Sequence, residues 1–286
     1  MTPASRLAPA KINLYLHVGA PEANGYHPLQ SLVVFADIGD RLALRDQPGL
    51  AITGPFAAHL SNGDDNFVLK AARLFEQATG KRYRGGFVLD KQLPLASGMG
   101  GGSADAGACL HLLCEALAPS LGDAELAAIS ARIGSDGPMC LWSRTALAEG
   151  YGERLTDIDL PAIPAVLINP LVDCPTRPVY QRFDAENRFE SIDIKLAYNA
   201  VRGANDLIDM LANTRNDLQN PAISLQPAIS EVLASLLAES QTRMARMSGS
   251  GATCFALCAS DDDAKALGAR MQAVWPSAWV RACRLG

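Results

Sequence analysis

Phe87-Val88-Leu89-Asp90-Lys91-Gln92-Leu93-Pro94-Leu95-Ala96-Ser97-Gly98-Met99-Gly100-Gly101-Gly102-Ser103-Ala104-Asp105-Ala106-Gly107 runs an apolar strand into a glycine loop and out into a helix. Four of the five residues from Gly98 to Gly102 are glycine. Beyond them Ala106, Cys109, Leu110, Leu113 and Leu117 recur at i, i+3, i+4, i+7 and i+11, the period of a helix with one apolar face. Ser103 is a residue type that caps helix N-termini. Glycine lets a backbone approach a ligand closely and adopt φ > 0. Unpaired N–H groups at the helix start, with the positive end of its dipole, favour an anion. The stretch therefore reads as a phosphate cradle; a flexible linker would be Ser/Gly-rich and lack such apolar flanks.

Two familiar phosphate loops are excluded. No Gly-x-x-x-x-Gly-Lys-[Ser/Thr] occurs in the chain. Ser103 stands where a dinucleotide fingerprint needs its third glycine.

With 286 residues, 49% hydrophobic and 19% charged, the chain can bury a large core in one domain or two. A net charge of −5 argues against a general nucleic-acid binder, so an anionic ligand must be held by local donors. The seven cysteines form an odd set without a Cys-x-x-Cys pair, as expected of reduced thiols in the cytoplasm. No run of 18 apolar residues suggests a membrane span, and no apolar signal core suggests export.

Along the chain, Ile12, Leu14, Leu16 and Val18 alternate with Lys11, Asn13, Tyr15 and His17, a strand with one buried face. On pattern alone Lys11 and Asn13 lie on a solvated face. Asn24-Gly25 is a turn dipeptide, followed at once by Tyr26 and His27. Strands are expected at Ser31–Phe35 and Arg41–Leu44, broken by Asp37-Ile38-Gly39-Asp40. Asn66 reads as the cap of a helix closed by Gly80, and Lys91 as a strand-end lysine in solvent. A helix is expected from Asp123 to Ile133, then a turn around Asp136 leading into a strand at Met139-Cys140-Leu141. By itself Asp136 is a turn residue between glycines and proline. A proline-punctuated break at Asp157–Pro164 marks a boundary between 1–160 and 161–286. Helices after Asn216 and from Ala264 to Val274, and a strand from Trp279 to Arg284, complete an α+β chain.

Pro94-x-x-x-Gly98-Met99-Gly100-Gly101-Gly102-Ser103 resembles the second motif of the GHMP kinases, which include galactokinase, homoserine kinase and mevalonate kinase. The triple glycine points to the branch that phosphorylates a cytidine-diphosphate-linked sugar alcohol on the non-mevalonate route to isoprenoid precursors. The resemblance implies a two-domain fold, with an N-terminal domain like ribosomal protein S5 domain 2 and a ferredoxin-like C-terminal domain. It implies that Pro94, Leu95, Ala96, Ser97, Gly98, Met99, Gly100, Gly101, Gly102, Ser103 and Ala104 wrap the triphosphate of ATP, with Asn66 and Lys91 beside the adenine.

Pro9-Ala10-Lys11-Ile12-Asn13-Leu14 resembles the first family motif and implies a catalytic Lys11 and a substrate-orienting Asn13. Asn24-Gly25-Tyr26-His27 and Pro175-Thr176-Arg177-Pro178-Val179-Tyr180 resemble the elements that hold the cytosine. They imply substrate contacts from Tyr26, His27, Thr176 and Tyr180, the two tyrosines sandwiching the base. Gly134-Ser135-Asp136-Gly137-Pro138 resembles Gly-Ala-Asp-Val-Pro and implies Asp136 as catalytic base; the chain departs at Ser135 and Gly137, and the glycine is expected to loosen the turn. Met247-Ser248-Gly249-Ser250-Gly251-Ala252-Thr253 resembles the third motif, which packs against the ATP loop.

ATP and Mg²⁺ are the implied cofactors, with no assigned metal ligand. The implied partner is a small cytidine diphosphate substrate, without nucleic acid or membrane, for a cytoplasmic monomer or weak homodimer. Two other readings are another GHMP kinase, of homoserine or mevalonate type, and a non-catalytic nucleotide sensor.

Overall fold

Strand, glycine loop and helix form as the apolar patterns dictate. A computed structural model describes residues 4–134 and 136–286; Ser135 lies outside the described residues. In chain order the elements are β1 (Ser5–Val18), β2 (Leu29–Arg45), β3 (Gly49–Thr53), α1 (Phe67–Thr79), β4 (Gly86–Asp90), α2 (Gly101–Leu117), α3 (Asp123–Ala131), α4 (Gly137–Trp142), β5 (Ala146–Gly150), β6 (Arg154–Asp157), β7 (Ile163–Asn169), α5 (Thr176–Glu186), α6 (Ala204–Leu211), α7 (Gln219–Leu225), α8 (Ala228–Leu237), β8 (Met244–Met247), β9 (Cys254–Leu257), α9 (Asp261–Val274) and β10 (Trp279–Leu285). No described helix is long and apolar enough to cross a membrane.

Contacts divide the chain into two compact units, one holding the residues up to Lys11, Ile38–Leu95 and Gly100–Ser143, the other Ile12–Asp37, Ala96–Met99 and Arg144–Gly286. β1 and β2 are 14 and 17 residues long, and each runs through both units.

In the first unit β4 pairs antiparallel with the later half of β2, from Arg41↔Asp90 to Arg45↔Gly86, and parallel with β3. Helix α2 packs against α1 and α4. Val68, Ala71 and Phe75 of α1 and Cys109, Leu110 and Leu113 of α2 are buried. Fully burying such side chains contributes roughly 1.5–3 kcal/mol each for the larger ones. The α2–α4 contact depends on Gly107, where a Cβ would lie 2.9 Å from the Cys140 carbonyl oxygen.

In the second unit the first half of β2 pairs with β5, from Leu29↔Gly150 to Val33↔Ala146, and β5 pairs with β6. β10, β7, β9 and β8 form an antiparallel ladder, joined to β2 at Leu285↔Ala36. Helices α8 and α9 contribute Ile229, Val232, Leu236, Leu267 and Met271 to the core beneath it.

Three local expectations fail. β2 is one strand, not two. Gly39 is no turn: a Cβ there would lie 2.1 Å from the Ala8 carbonyl oxygen, so the glycine lets β1 pass close by. Asp40 points into the core. Met139-Cys140-Leu141 belongs to helix α4, with Pro138 in its first turn, where a missing N–H costs nothing. Helix α2 starts at Gly101, so Ser103 lies inside it and Gly100 is its cap.

Candidate active site

The loop from Ala96 to Gly100 is shaped by backbone conformation. Ala96, Gly98 and Gly100 have φ of 47°, 75° and 65°, in the left-handed region. In the second unit a Cβ at Gly98 would lie 2.7 Å from the Gly251 carbonyl oxygen and 2.8 Å from that of Ser248. The Thr253 hydroxyl donates to the Ser97 carbonyl at 2.6 Å. The third motif therefore packs on this loop, as expected. Gly100 then caps α2 with no side chain over the helix start, and its carbonyl accepts the first helical bond from Ala104 at 2.9 Å. The N–H groups of Gly101, Gly102 and Ser103 have no partner within the helix. This is the geometry of an anion site.

In the first unit Lys11 and Asp136 meet. Lys11 Nζ lies 3.5 Å from Asp136 Oδ2, the lysine largely buried and the carboxylate partly exposed. A Cβ at Gly100 would stand 3.3 Å from Lys11 Cε, so the loop lies directly on the lysine stem. Asp136 occupies the cap position of α4, yet its side chain makes no capping bond. Its carboxylate faces Lys11 instead. Burial pushes the neighbouring Cys140 thiol up, which removes it as a nucleophile.

Gly137 does not loosen this turn. A Cβ there would lie 2.3 Å from the Ser130 carbonyl oxygen, so the glycine allows α4 to abut the end of α3. Gly137→Val is expected to destabilise the protein by about 1–3 kcal/mol through overpacking, read as a lowered denaturation midpoint. An unchanged midpoint would show that Ser130 yields freely.

Lys91 has a different environment from the one expected. It is 2% exposed, and its Nζ bonds Asp40 Oδ2 at 2.5 Å and Asp105 Oδ2 at 2.8 Å. Asp40 Oδ1 accepts the Gln92 and Leu93 N–H groups at 2.6 and 2.8 Å. The amine sits under the start of α2, 3.1 Å from where a Cβ of Gly101 would be. Burial pushes the Asp105 carboxyl up to about 7, against the pull of Lys91. The two carboxylates outweigh burial at Lys91 and raise it above its ordinary value. In this arrangement Lys91 supports the loop from below, because its amine is consumed by the ion cluster.

Asn66 is likewise occupied as a helix cap. Its Oδ1 accepts the Val68 N–H at 2.9 Å and its Nδ2 donates to the Ser61 carbonyl at 2.7 Å. Beside it the Phe67 ring, partly exposed, stands 3.0 Å from a Cβ built on Gly102.

The second unit gathers the other expected residues. Asn13 donates from its backbone to Ser248 Oγ at 3.0 Å and from Nδ2 to Ser31 Oγ at 2.8 Å. Thr176 Oγ1 lies 2.9 Å from Ser250 Oγ. His27 is held by both ring nitrogens, Nδ1 on the Gly19 carbonyl at 2.9 Å and Nε2 at 3.2 Å from Asp184. The Tyr180 ring packs on His27 at 5.1 Å, whereas the Tyr26 ring packs on Tyr151 at 5.8 Å. Asp40, Asp105, Phe67, Tyr151 and Asp184 are absent from the expected set. Only Tyr151 carries a local signal, an aromatic between two glycines.

Two family models match the chain, the GHMP kinases N terminal domain over residues 66–144 and the GHMP kinases C terminal over 196–277. A protein of Caulobacter sp. (strain K31) named 4-diphosphocytidyl-2-C-methyl-D-erythritol kinase is 49% identical, over 98% of this chain and 97% of its own. A crystal structure of 4-(cytidine 5'-diphospho)-2C-methyl-D-erythritol kinase superposes with a TM-score of 0.80 at 34% identity, covering 99% of both chains. A homoserine kinase from Cytophaga hutchinsonii shares the fold, with a TM-score of 0.66 at 20% identity over 96% of this chain and 94% of its own. With matching models at both ends and near-full-length relatives far above 30% identity, the chain belongs to the GHMP kinase family.

Proposed function

We propose that the protein transfers the γ-phosphoryl group of ATP to the 2-hydroxyl of 4-diphosphocytidyl-2-C-methyl-D-erythritol. The observation that carries this reading is the relative named for that activity, 49% identical over nearly the whole chain. The Lys11–Asp136 pair supports it chemically.

Phosphoryl transfer needs positioning and charge stabilisation more than covalent chemistry. The N–H groups at the start of α2 take the triphosphate, and the Phe67 ring offers the adenine an apolar face. Asp136 accepts the proton of the attacking hydroxyl, and Lys11 stabilises charge on the transferring group. Asn13 orients the alcohol; Tyr26, His27, Thr176 and Tyr180 hold the cytidine end. Mg²⁺, if bound together with ATP, would supply charge that offsets the phosphates. Among the described residues no group of three or more His, Cys, Asp or Glu could hold it unaided, and Mg²⁺ characteristically keeps phosphate and water ligands. We place the activity in the cytoplasm, in a monomer or weak homodimer with no nucleic-acid partner.

The test is ADP release with Mg-ATP and 4-diphosphocytidyl-2-C-methyl-D-erythritol, run beside homoserine and mevalonate. Turnover is expected with the cytidine substrate alone. Turnover with another alcohol instead would discard the cytidine assignment. Nucleotide binding without turnover on any alcohol would make the protein a sensor.

A further inference from the structure

Two large aromatic side chains of the second unit stand at its surface, Tyr26 at 66% exposure and Tyr151 at 38%. Their rings meet at 5.8 Å between centroids, tilted by 54°, within the range in which aromatic pairs attract. Register brings them together. β5 ends opposite the start of β2, at Leu29↔Gly150, so the residue after Gly150 reaches the turn that precedes β2.

Tyr151 is pinned from three sides. Its hydroxyl donates to Glu22 Oε2 at 2.5 Å and accepts from Asn24 Nδ2 at 2.7 Å. Its N–H donates to Glu153 at 2.6 Å. The hydrogen bond to Glu22 also raises the phenol above its ordinary value, so it keeps its proton.

Asn24 works at both ends. Its Oδ1 accepts the Tyr26 N–H at 2.8 Å while its Nδ2 holds Tyr151. An aspartate there could do only the first, and would set a second carboxylate beside Glu22. Glu22, Asn24 and Tyr151 thus form one device whose output is the placement of the Tyr26 ring.

We propose that Tyr151 is a positioning residue for the cytidine end of the substrate, bracing Tyr26 so that its free face is set for the base before the substrate arrives. This rests on the cytidine substrate proposed above. The rings are too close for a base to enter between them, since a stacked base needs about 3.4 Å on each side, so Tyr151 acts through Tyr26. Base–aromatic stacking is sequence-tolerant and strong enough to matter, and pre-paying the ordering of one side chain improves affinity.

Steady-state kinetics with the cytidine substrate test this. Tyr151→Ala is expected to raise its KM about three- to tenfold, with kcat and the KM for ATP held within about twofold. Tyr151→Phe, which keeps the ring and loses both hydroxyl bonds, should fall between wild type and Tyr151→Ala. Adding Tyr151→Ala to Tyr26→Ala should raise KM no further than Tyr26→Ala alone. An unchanged KM in Tyr151→Ala, an additive double variant, or a parallel loss in kcat and ATP affinity would overturn the bracing role while wild-type turnover stands. Absence of wild-type turnover would instead remove the substrate assignment, and this inference with it.

Discussion

Asp136→Asn is expected to lower kcat by about 10²–10⁴-fold, the contribution typical of a positioned general base. The substitution keeps the shape of the side chain and removes its ability to take a proton. The KM for ATP should change little, because the N–H groups proposed to receive the triphosphate belong to the start of α2. Stability should also change little. The Asp136 side chain makes no capping bond to α4, and its ion pair with Lys11 is partly exposed, a class worth about 0–1 kcal/mol. Lys11→Met should cost turnover as well, by removing charge stabilisation at the transferring group. The double variant should be barely slower than the worse single one, since residues that act as a unit are strongly non-additive. Rapid-quench measurement of the chemical step separates this from product release. A near-normal step in Asp136→Asn would end the base assignment.

What the chain discloses locally and what it hides divide along physical lines. The run from Phe87 to Leu117 is legible because period, glycine content and helix-start chemistry agree on one answer. The stripe of α1 and its closing Gly80, in the left-handed conformation, are legible for the same reason. Asp37-Ile38-Gly39-Asp40 misleads because turn composition is ambiguous: a glycine can serve a bend or a close crossing, and only β1 decides which. Met139-Cys140-Leu141 is too short to display a period, so helix and strand look alike there. At the candidate site, Lys11, Asp136 and the glycines are recoverable from motif spacing. Asp40 and Asp105 are not, because their common partner Lys91 lies 51 and 14 positions away. Long-range ion clusters and hydrogen bonds leave no local trace.

Lys91→Met should damage the fold severely, costing about 3–5 kcal/mol, because it leaves two buried carboxyl groups without their cation. Asp40 and Asp105 are 0% and 2% exposed, and among the described residues Lys91 is the only cation paired with either. The loss should depend on pH, and its sign follows from linkage. Asp105 titrates at about 7 in the folded protein and near 3.9 when unfolded. Between those values the folded chain holds a proton that the unfolded chain has released. The stability Asp105 contributes is therefore full below about pH 4 and lost as pH rises through about 7. Lys91 is raised above its ordinary value and stays charged throughout this range. Removing it takes away the largest influence that lowers Asp105, so ionising that carboxyl becomes costlier still. Denaturant titrations should then show a larger deficit for Lys91→Met at pH 8.5 than at pH 5.5. Adding Asp105→Asn should recover part of the deficit at pH 8.5 and flatten the difference between the two conditions. Because the amine lies directly under Gly101, the single variant should also bind ATP more weakly than its residual stability alone explains. Equal losses at the two pH values, or a loss below about 1 kcal/mol, would mean that the cluster relaxes or takes up water, and that the glycine loop does not depend on the charge beneath it.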